Sequence, residues 1–287
     1  MAETLLLLEG GAYRGIFLAG VLDVFMEHGI EFDAVAGISA GAMTGWNYIS
    51  GQRGRTADII INYGDDSRYF GTKAFLSNGG GTGFKFIFNT IHEKYFPYDY
   101  SACEKNSAVF AAGATNLLTA ENEYFEKADF ENIKDFEKCI IASSSMPVIS
   151  RIVKINGTPF LDGGVCEHLP LNYFYTHPQY EKAVAVLTRP LSARKLPPSE
   201  KLKRVYKFLF KKYPLFLDKL CNEDTIFNKQ REEIANLELS SRLMVLAPDE
   251  NFKVKRIERD KSTLKEGYAL GKKEAERRLA ELNEFLI

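Results

Sequence analysis

The sequence feature that most constrains the fold is Gly37-Ile38-Ser39-Ala40-Gly41, a G-x-S-x-G site between an apolar run and a helix-like run. A serine on a sharp turn from strand to helix holds its hydroxyl out of the fold. The flanking glycines, Gly37 and Gly41, leave room for a tight bend and for a substrate. The following helix directs free N–H groups and the positive end of its dipole at the same point, which suits a developing oxyanion. We therefore interpret Ser39 as a candidate nucleophile.

The first part of the chain predicts strands that alternate with helices. Residues 4–9 are largely apolar and run into glycines, which is typical of a buried central strand. A tight loop, residues 10–15, comes next, and residues 16–28 carry apolar side chains on one helical face before Gly29. Residues 32–38 predict a second strand that leads to Ser39. This βαβα order predicts an α/β protein with a mostly parallel sheet and helices on both faces.

The later elements are predicted from periodicity and turn signals. The predicted strands are 108–115, 123–126, 152–155, 158–161, 182–188 and 241–247, and the predicted helices are 129–145, 201–220 with an interruption at Pro214, and 264–286. Asn156-Gly157 is a strong hairpin signal. The aromatic-rich residues 51–100 leave two interpretations open, a mobile cap that forms an apolar wall for an acyl chain, or an insertion with its own small core.

Charge and cysteine usage restrict the partners and the compartment. The formal net charge is −1, so we expect no nucleic-acid partner, although residues from Arg189 onward hold 23 Lys/Arg against 16 Asp/Glu. The basic amphipathic segment 201–220 either packs on the domain or contacts a membrane peripherally. None of the four cysteines lies in a C-x-x-C pair, which argues against a zinc site or a disulfide framework. Because no signal peptide or membrane-length apolar run is evident, we expect a cytoplasmic protein.

The oxyanion donors have a candidate source in the loop after the first predicted strand. A nucleophilic serine needs N–H groups that stabilise the oxyanion of its tetrahedral intermediate. The loop of Gly10, Gly11 and Ala12 leads into a helix and exposes backbone N–H groups with little side-chain obstruction. In a parallel sheet the carboxyl ends of neighbouring strands lie side by side, so this loop is expected to face Ser39.

The residues alone leave two assignments open for the base that would activate Ser39. Asp162 ends a predicted strand, and Gly163-Gly164 after it lets another backbone or a substrate approach closely. Alternatively, the order Ser39, Asp162, His168 matches a Ser-His-Asp α/β-hydrolase. The early position of the serine argues against that second fold, because an α/β-hydrolase places several strands ahead of its elbow.

A dinucleotide-binding module is an alternative of a different class. Strand, glycine loop and helix, with Asp33 about twenty residues on, imitate a Rossmann fingerprint. Two details disfavour it. Ala12 stands where the fingerprint needs its central glycine, and Asp33 lies at the start of the second strand, whereas a ribose-binding acid lies at the end.

Three motifs together resemble those of the patatin-like phospholipase family. They are residues 10–15 (Gly-Gly-Ala-Tyr-Arg-Gly), residues 37–41 and residues 162–164 (Asp-Gly-Gly), and Ser-Ser-Ser-Met-Pro at 143–147 matches as well. The resemblance covers roughly residues 4–190 and implies a three-layer α/β/α fold. The part beyond Pro190 is similar to the C-terminal extension of a bacterial branch. We therefore predict a catalytic domain at 1–190 and a helical or mixed extension, 191–287, packed on it.

The resemblance also implies a mechanism and a set of site residues. The family uses a Ser–Asp dyad without histidine, which makes Ser39 the nucleophile and Asp162 the direct base. The N–H groups of Gly10, Gly11 and Ala12 would form the oxyanion hole, Arg14 would steady that loop, and the remaining motif glycines, Gly15, Gly37, Gly41, Gly163 and Gly164, would support the turns. Ala12 departs from the pattern, which usually has a third glycine. The implied reaction is hydrolysis of a fatty-acyl ester or phospholipid through an acyl-enzyme, with no metal or cofactor.

Overall fold

In a computed structural model, which describes residues 3–286, eight strands form one mixed sheet. The strands are β1 (Leu5–Leu8), β2 (Ala34–Ile38), β3 (Val109–Asn116), β4 (Glu121–Glu126), β5 (Val153–Ile155), β6 (Thr158–Asp162), β7 (Ala183–Val186) and β8 (Leu243–Leu246). Strands β3, β2, β1, β7 and β8 lie next to one another in that order and are parallel, whereas β4, β5 and β6 pair antiparallel. The sheet is therefore mostly parallel, as the opening βαβα pattern predicted.

Helices cover both faces of the sheet. They are α1 (Gly15–Glu27), α2 (Ala40–Ile49), α3 (Arg55–Tyr63), α4 (Thr72–Asn78), α5 (Tyr100–Lys105), α6 (Glu137–Ser143), α7 (Leu171–Thr176), α8 (Glu200–Phe210), α9 (Pro214–Cys221), α10 (Glu223–Leu239) and α11 (Lys261–Phe285). Leu6 and Leu8 of β1 share a core with α1, α2, α6 and α11, while Leu5 and Leu7 share one with α7 and α10. The central strand β1 is apolar at every position because its side chains pack into a core on each face of the sheet. The predicted three-layer fold class is confirmed.

The prediction of one continuous helix over 129–145 is wrong. Residues Lys127–Asp129 and Ile133–Phe136 form short 3₁₀ turns, and the α-helix begins only at Glu137. The Asn132 side chain accepts a hydrogen bond from the N–H of Lys134 at 3.0 Å, which interrupts the helix. Apolar residues at helical spacing are present on both sides of this break, so periodicity alone joined them into one helix.

The aromatic-rich region contains α3, α4 and a π-helix at Phe86–Tyr95. Ile59, Phe86 and Ile91 form a small core of their own, as the second interpretation of this region predicted. Ile87 and Phe88 join the main core instead, so the region is anchored to the sheet domain. Side chains of this region also line a cavity beside Ser39.

Residues beyond Pro190 contribute to the same sheet. Strand β8 pairs in parallel with β7, and α11 crosses α1 closely. The crossing depends on small residues, because a Cβ added at Gly20 would lie 2.2 Å from the carbonyl oxygen of Tyr268 and one added at Gly271 would lie 2.2 Å from that of Phe17. The basic pair predicted at 201–220 is present as α8 and α9, with Pro214 at the start of α9. The predicted domain boundary at residue 190 stays a prediction. Over residues 3–286, every helix is too short or too polar to cross a bilayer.

Candidate active site

Ser39 lies on a strained elbow between β2 and α2. Its backbone has φ +54° and ψ −117°, a conformation that a residue with a side chain rarely adopts. The elbow needs glycine on both sides. A Cβ at Gly41 would lie 2.2 Å from the Leu8 carbonyl oxygen, and one at Gly37 would lie 2.6 Å from the Ala42 nitrogen. The interpretation of this pentapeptide as a strand-to-helix elbow is therefore confirmed by the backbone.

Strand β3 brings Ser39 and Asp162 together. One edge of β3 pairs with β4 along Ala111–Asn116, so β2 and β6 must share the other edge. On that edge Ile38, the last residue of β2, pairs with Gly113, and Asp162, the last residue of β6, pairs with the next residue, Ala114. The two strand ends therefore meet, and the Ser39 hydroxyl donates a hydrogen bond to Asp162 Oδ2 at 2.7 Å.

Asp162 is buried and held in one orientation. Its second oxygen, Oδ1, accepts from the Gly164 N–H at 2.8 Å, and its backbone carbonyl accepts from the Thr115 hydroxyl at 3.0 Å. Burial raises the pKa of the Asp162 carboxyl above its ordinary value, while the hydrogen bonds from Ser39 and Gly164 act in the opposite direction. A carboxylate of increased basicity in contact with a serine hydroxyl can accept the hydroxyl proton.

The loop predicted to hold the oxyanion offers two free donors and not three. The Gly10 N–H donates to the carbonyl of His168 at 2.9 Å, so it is already engaged. Within residues 3–286, the N–H groups of Gly11 and Ala12 have no protein acceptor. Ala12 has φ +52°, a strain that the third glycine of the family pattern would relieve. The prediction that the Gly10 N–H is an oxyanion donor is therefore wrong, because this N–H positions the loop through its bond to His168. Gly11 and Ala12 stay as the predicted donors.

Arg14 and the remaining motif glycines support this geometry. Arg14 Nε donates to the Gly11 carbonyl at 3.3 Å, which agrees with its predicted contact with the loop. A Cβ at Gly15 would lie 2.9 Å from Ala40 Cβ, and one at Gly163 would lie 2.4 Å from the Gly113 carbonyl oxygen. Gly164 supplies the N–H that orients Asp162. These close approaches explain why the motifs contain glycine.

His168 does not join Ser39 to Asp162. Its Nε2 lies 3.0 Å from Lys195 Nζ, and within the described chain no imidazole nitrogen is hydrogen-bonded to Ser39 or Asp162. Burial, followed by the nearby charges of Lys195 and Arg231, holds the pKa of His168 well below its ordinary value. Because an ammonium can only donate, His168 Nε2 accepts from Lys195 Nζ. The Ser-His-Asp alternative is therefore wrong for these residues.

Asp33 does not lie near a nucleotide site. Its Oδ2 accepts hydrogen bonds from the N–H and hydroxyl of Thr4, at 2.7 and 2.8 Å. These contacts join the starts of β1 and β2, at the edge of the sheet opposite Ser39. Because a ribose-binding acid must lie at the carboxyl edge, the geometry removes the dinucleotide alternative.

Several residues that position the site were missed by the sequence analysis. Ser143 Oγ accepts from the Ser39 N–H at 2.9 Å, and Ser144 Oγ donates to the Ser39 carbonyl at 3.2 Å. The Asn122 side chain donates to the Gly163 carbonyl at 3.0 Å and to Glu167 Oε1 at 3.3 Å. In the sequence, the serine run at 143–145 indicates only a resemblance to the family. Contacts of this kind are made between distant parts of the chain, so no local pattern signals them.

Two cavities of opposite character meet at Ser39. The apolar cavity, of about 100 Å³, is lined by side chains of α2, α3 and the aromatic-rich region, including Ile59, Phe70 and Phe84. The second cavity, of about 280 Å³, is lined by the Gly10–Ala12 loop, Asp162 and several cationic side chains, and we call it the cationic cavity. Ser39 lines both cavities, so a substrate bound at its hydroxyl can extend into each of them.

The fold and the elbow place the chain among α/β proteins with a serine at a strand-to-helix turn, and comparisons with known proteins identify the family. The model of the patatin-like phospholipase family matches residues 6–175, and that of a domain of unknown function (DUF6363) matches residues 213–287. The first match spans more than half of the chain. The chain therefore belongs to the patatin-like phospholipase family.

Individual relatives are more distant. The uncharacterized protein YjjU of Escherichia coli is 29% identical over 171 residues, which are 58% of this chain and 46% of that protein. Lysophospholipase nte1 of Emericella nidulans is 27% identical over 184 residues, which are 60% of this chain and 11% of that protein. The matches thus span less than half the length of these relatives. Among solved structures, VipD from Legionella pneumophila is similar with a TM-score of 0.47 at 10% identity, covering 98% of this chain and 67% of that one.

Proposed function

We propose that this protein is a serine lipid acyl hydrolase that cleaves fatty-acyl esters through an acyl-enzyme on Ser39. The observation that carries the proposal is the 2.7 Å hydrogen bond from the strained Ser39 hydroxyl to buried Asp162. The absence of an imidazole from this contact supports a direct Ser–Asp dyad. Membership of a phospholipase family supports a lipid substrate.

The steps follow from the positions of these groups. Ser39 Oγ attacks the ester carbonyl while Asp162 Oδ2 takes the hydroxyl proton. The N–H groups of Gly11 and Ala12 stabilise the oxyanion, the ester C–O bond breaks, and the leaving alcohol takes the proton from Asp162. A water then attacks the acyl-serine, passing its proton to Asp162 and from there to Ser39 Oγ. The products are a fatty acid and an alcohol.

The apolar cavity supports the proposal that the acyl part of the substrate is a fatty-acyl chain. Ile59, Phe70 and Phe84 line it, and Ser39 lies at its boundary. Burial of methylene groups against such a wall contributes about 0.8 kcal/mol for each CH₂. We infer that turnover rises with acyl-chain length until the cavity is filled.

The test is a series of p-nitrophenyl esters of increasing chain length. We expect Ser39→Ala and Asp162→Asn each to lower kcat/KM by at least ~10³-fold. Ser107→Ala and Asp135→Asn, at exposed positions, are the matched controls and should resemble the wild type. The raised pKa of Asp162 predicts that the acid limb of kcat/KM lies at a higher pH than it would for an aspartate with the ordinary pKa. Full turnover in Ser39→Ala would end the proposal.

We also propose peripheral membrane contact through α8 and α9. Phe208 and Leu215 are 78% and 58% exposed on these helices, between lysines, and Leu202 of α8 lines the cationic cavity. An apolar surface with flanking lysines, next to the mouth of a lipid site, suits the surface of an anionic bilayer. Segment 201–220 would then deliver substrate from the bilayer to Ser39.

A further inference from the structure

The cationic cavity lies where the sheet offers a natural ligand site. The chain runs from β1 to its neighbour β2 on one side and from β7 to its neighbour β8 on the other, so the loops after β1 and β7 diverge at the carboxyl ends of these strands. The Gly10–Ala12 loop follows β1, and Arg189 follows β7 by a few residues. Four cationic side chains line the cavity, which are Arg14, Arg189, Lys195 and Arg256.

Most of this positive charge is not compensated by the protein. Among residues 3–286, none of Arg14, Arg189 and Arg256 forms an ion pair with a carboxylate, and Lys195 lies 3.7 Å from Glu223. Nearby Arg231 differs, because its Nη2 lies 2.7 Å from Oε1 of buried Glu9. Grouping cations in a partly enclosed cavity is unfavourable unless an anion joins them.

The pKa values of the lining cations reflect the same crowding. Burial is the main cause that lowers the pKa of Arg14, Arg189 and Lys195, and neighbouring arginines lower each pKa further. The carboxylates of Glu9, for the two arginines, and of Glu223, for Lys195, act in the opposite direction without cancelling the shift. The pKa of Lys195 falls to about 8, so its ammonium is still charged at neutral pH. A bound anion would stabilise all three charged forms.

Phe227 of α10 holds several of these side chains in place. Its ring centroid lies 5.5 Å from the Arg189 guanidinium carbon and 5.2 Å from Lys195 Nζ. Lys195 Nζ also donates to His168 Nε2 at 3.0 Å. The cavity is thus a preorganised set of donors, and Lys195, Phe227 and Arg256 all come from the part of the chain beyond Pro190.

We propose that the cationic cavity binds the phosphate of the substrate's head group, and that the C-terminal extension thereby selects phosphate-bearing acyl esters. This inference rests on the proposed function of Ser39. With the acyl chain in the apolar cavity, the alcohol side of the ester extends into the cationic cavity. A phosphate suits three guanidinium forks and an ammonium better than a carboxylate does, because it offers more acceptor oxygens and up to two charges.

The kinetic test compares two substrates with the same acyl chain, a monoacylglycerol phosphate and the neutral monoacylglycerol, below the concentration at which they aggregate. We expect Arg189→Gln and Arg256→Gln each to lower the kcat/KM ratio of phosphate-bearing to neutral substrate by about tenfold. Lys253→Gln, an exposed cation outside the cavity on the same loop as Arg256, is the matched control and should leave the ratio within about twofold. An unchanged ratio in both cavity variants would overturn the inference.

A binding test separates this inference from the proposed function. Calorimetry on Ser39→Ala should show that Arg189→Gln and, within the extension, Arg256→Gln each weaken binding of the monoacylglycerol phosphate by about tenfold. This binding measurement does not depend on turnover. If the esterase proposal is wrong, the ester assays will fail while the effect of the cavity variants on binding remains. Glycerol phosphate and inorganic phosphate are then tested as competitors. If inorganic phosphate binding needs Arg189 while the substrate ratio does not, the cavity takes a free anion and the head-group inference is wrong.

Discussion

Glu167, a buried carboxyl next to the candidate site, is predicted to make the stability of the protein depend on pH. It is 4% exposed, its Oε1 accepts from the Tyr124 hydroxyl and from Asn122, and its Oε2 accepts from the Asn172 N–H at 3.1 Å. Burial is the main cause that raises the pKa of Glu167 from 4.5 to about 7, against the effect of these hydrogen bonds. Asn122 also holds the Gly163 carbonyl, so Glu167 lies one contact away from the loop after Asp162.

The sign and size of the effect follow from proton linkage. Between the unfolded pKa of 4.5 and the folded pKa of about 7, the folded state binds more protons, so the contribution of Glu167 to stability is lost as the pH rises. The full difference is about 3 kcal/mol, of which about 2.5 kcal/mol falls between pH 5 and pH 8. Glu167→Gln cannot titrate. The free energy of unfolding of Glu167→Gln should therefore gain about 2.5 kcal/mol relative to the wild type over that interval.

The assay is unfolding of both proteins by heat or urea at a series of pH values. The constant offset between them reports how well glutamine fits the site, whereas only the pH dependence of the offset reports the titration. For a chain of 287 residues a change of 2.5 kcal/mol corresponds to roughly 4 °C in Tm. Glu121→Gln, an exposed carboxylate at the start of β4, is the control. Parallel pH curves for the wild type and Glu167→Gln would refute the reasoning.

Two further predictions concern the base and the membrane. His168→Gln should lower kcat/KM on a p-nitrophenyl ester by less than about tenfold, because its ring contacts Lys195 and not Ser39, and a loss near ~10³-fold would restore it as the base. Phe208→Ser should weaken binding to anionic lipid vesicles in a sedimentation assay, while Leu239→Ser, which is similarly exposed at 85% but lies away from α8 and α9, should not. Equal binding by both variants would contradict contact through α8.

The sequence was sufficient for the parts of the fold that depend on local pattern. Apolar runs, Gly stops and the Asn156-Gly157 turn predicted every strand to within a few residues, because each of these signals acts within one turn or one strand. Asn156 and Gly157 indeed both have positive φ. The failure at 129–145 has the same origin, since a side-chain cap at Asn132 interrupts a pattern that otherwise continues.

The site could be predicted in its motifs but not in its hydrogen-bond assignments. Glycines at 37 and 41 signal the elbow because any side chain would collide there. The engagement of the Gly10 N–H could not be read from the loop, because its acceptor is the carbonyl of His168, far away in the chain. Similarly, β3 sets the meeting of Ser39 with Asp162 through a register that no single segment contains.

Residues of the C-terminal extension form hydrogen bonds and an ion pair with the segments that build the candidate site. These contacts give a physical reason for the presence of the extension. The Arg256 carbonyl accepts from the Tyr13 N–H, and Arg231 neutralises Glu9 at the end of β1. Gln230 accepts from the N–H of His168, whose carbonyl in turn holds Gly10. Without the extension, Glu9 would be left as an uncompensated charge and the loop of Gly10–Ala12 would lose partners on both sides. The same segment that holds the Gly10–Ala12 loop also supplies Lys195 and Arg256 to the cationic cavity, so the proposed positioning of the ester and the proposed recognition of its head group would depend on one piece of chain.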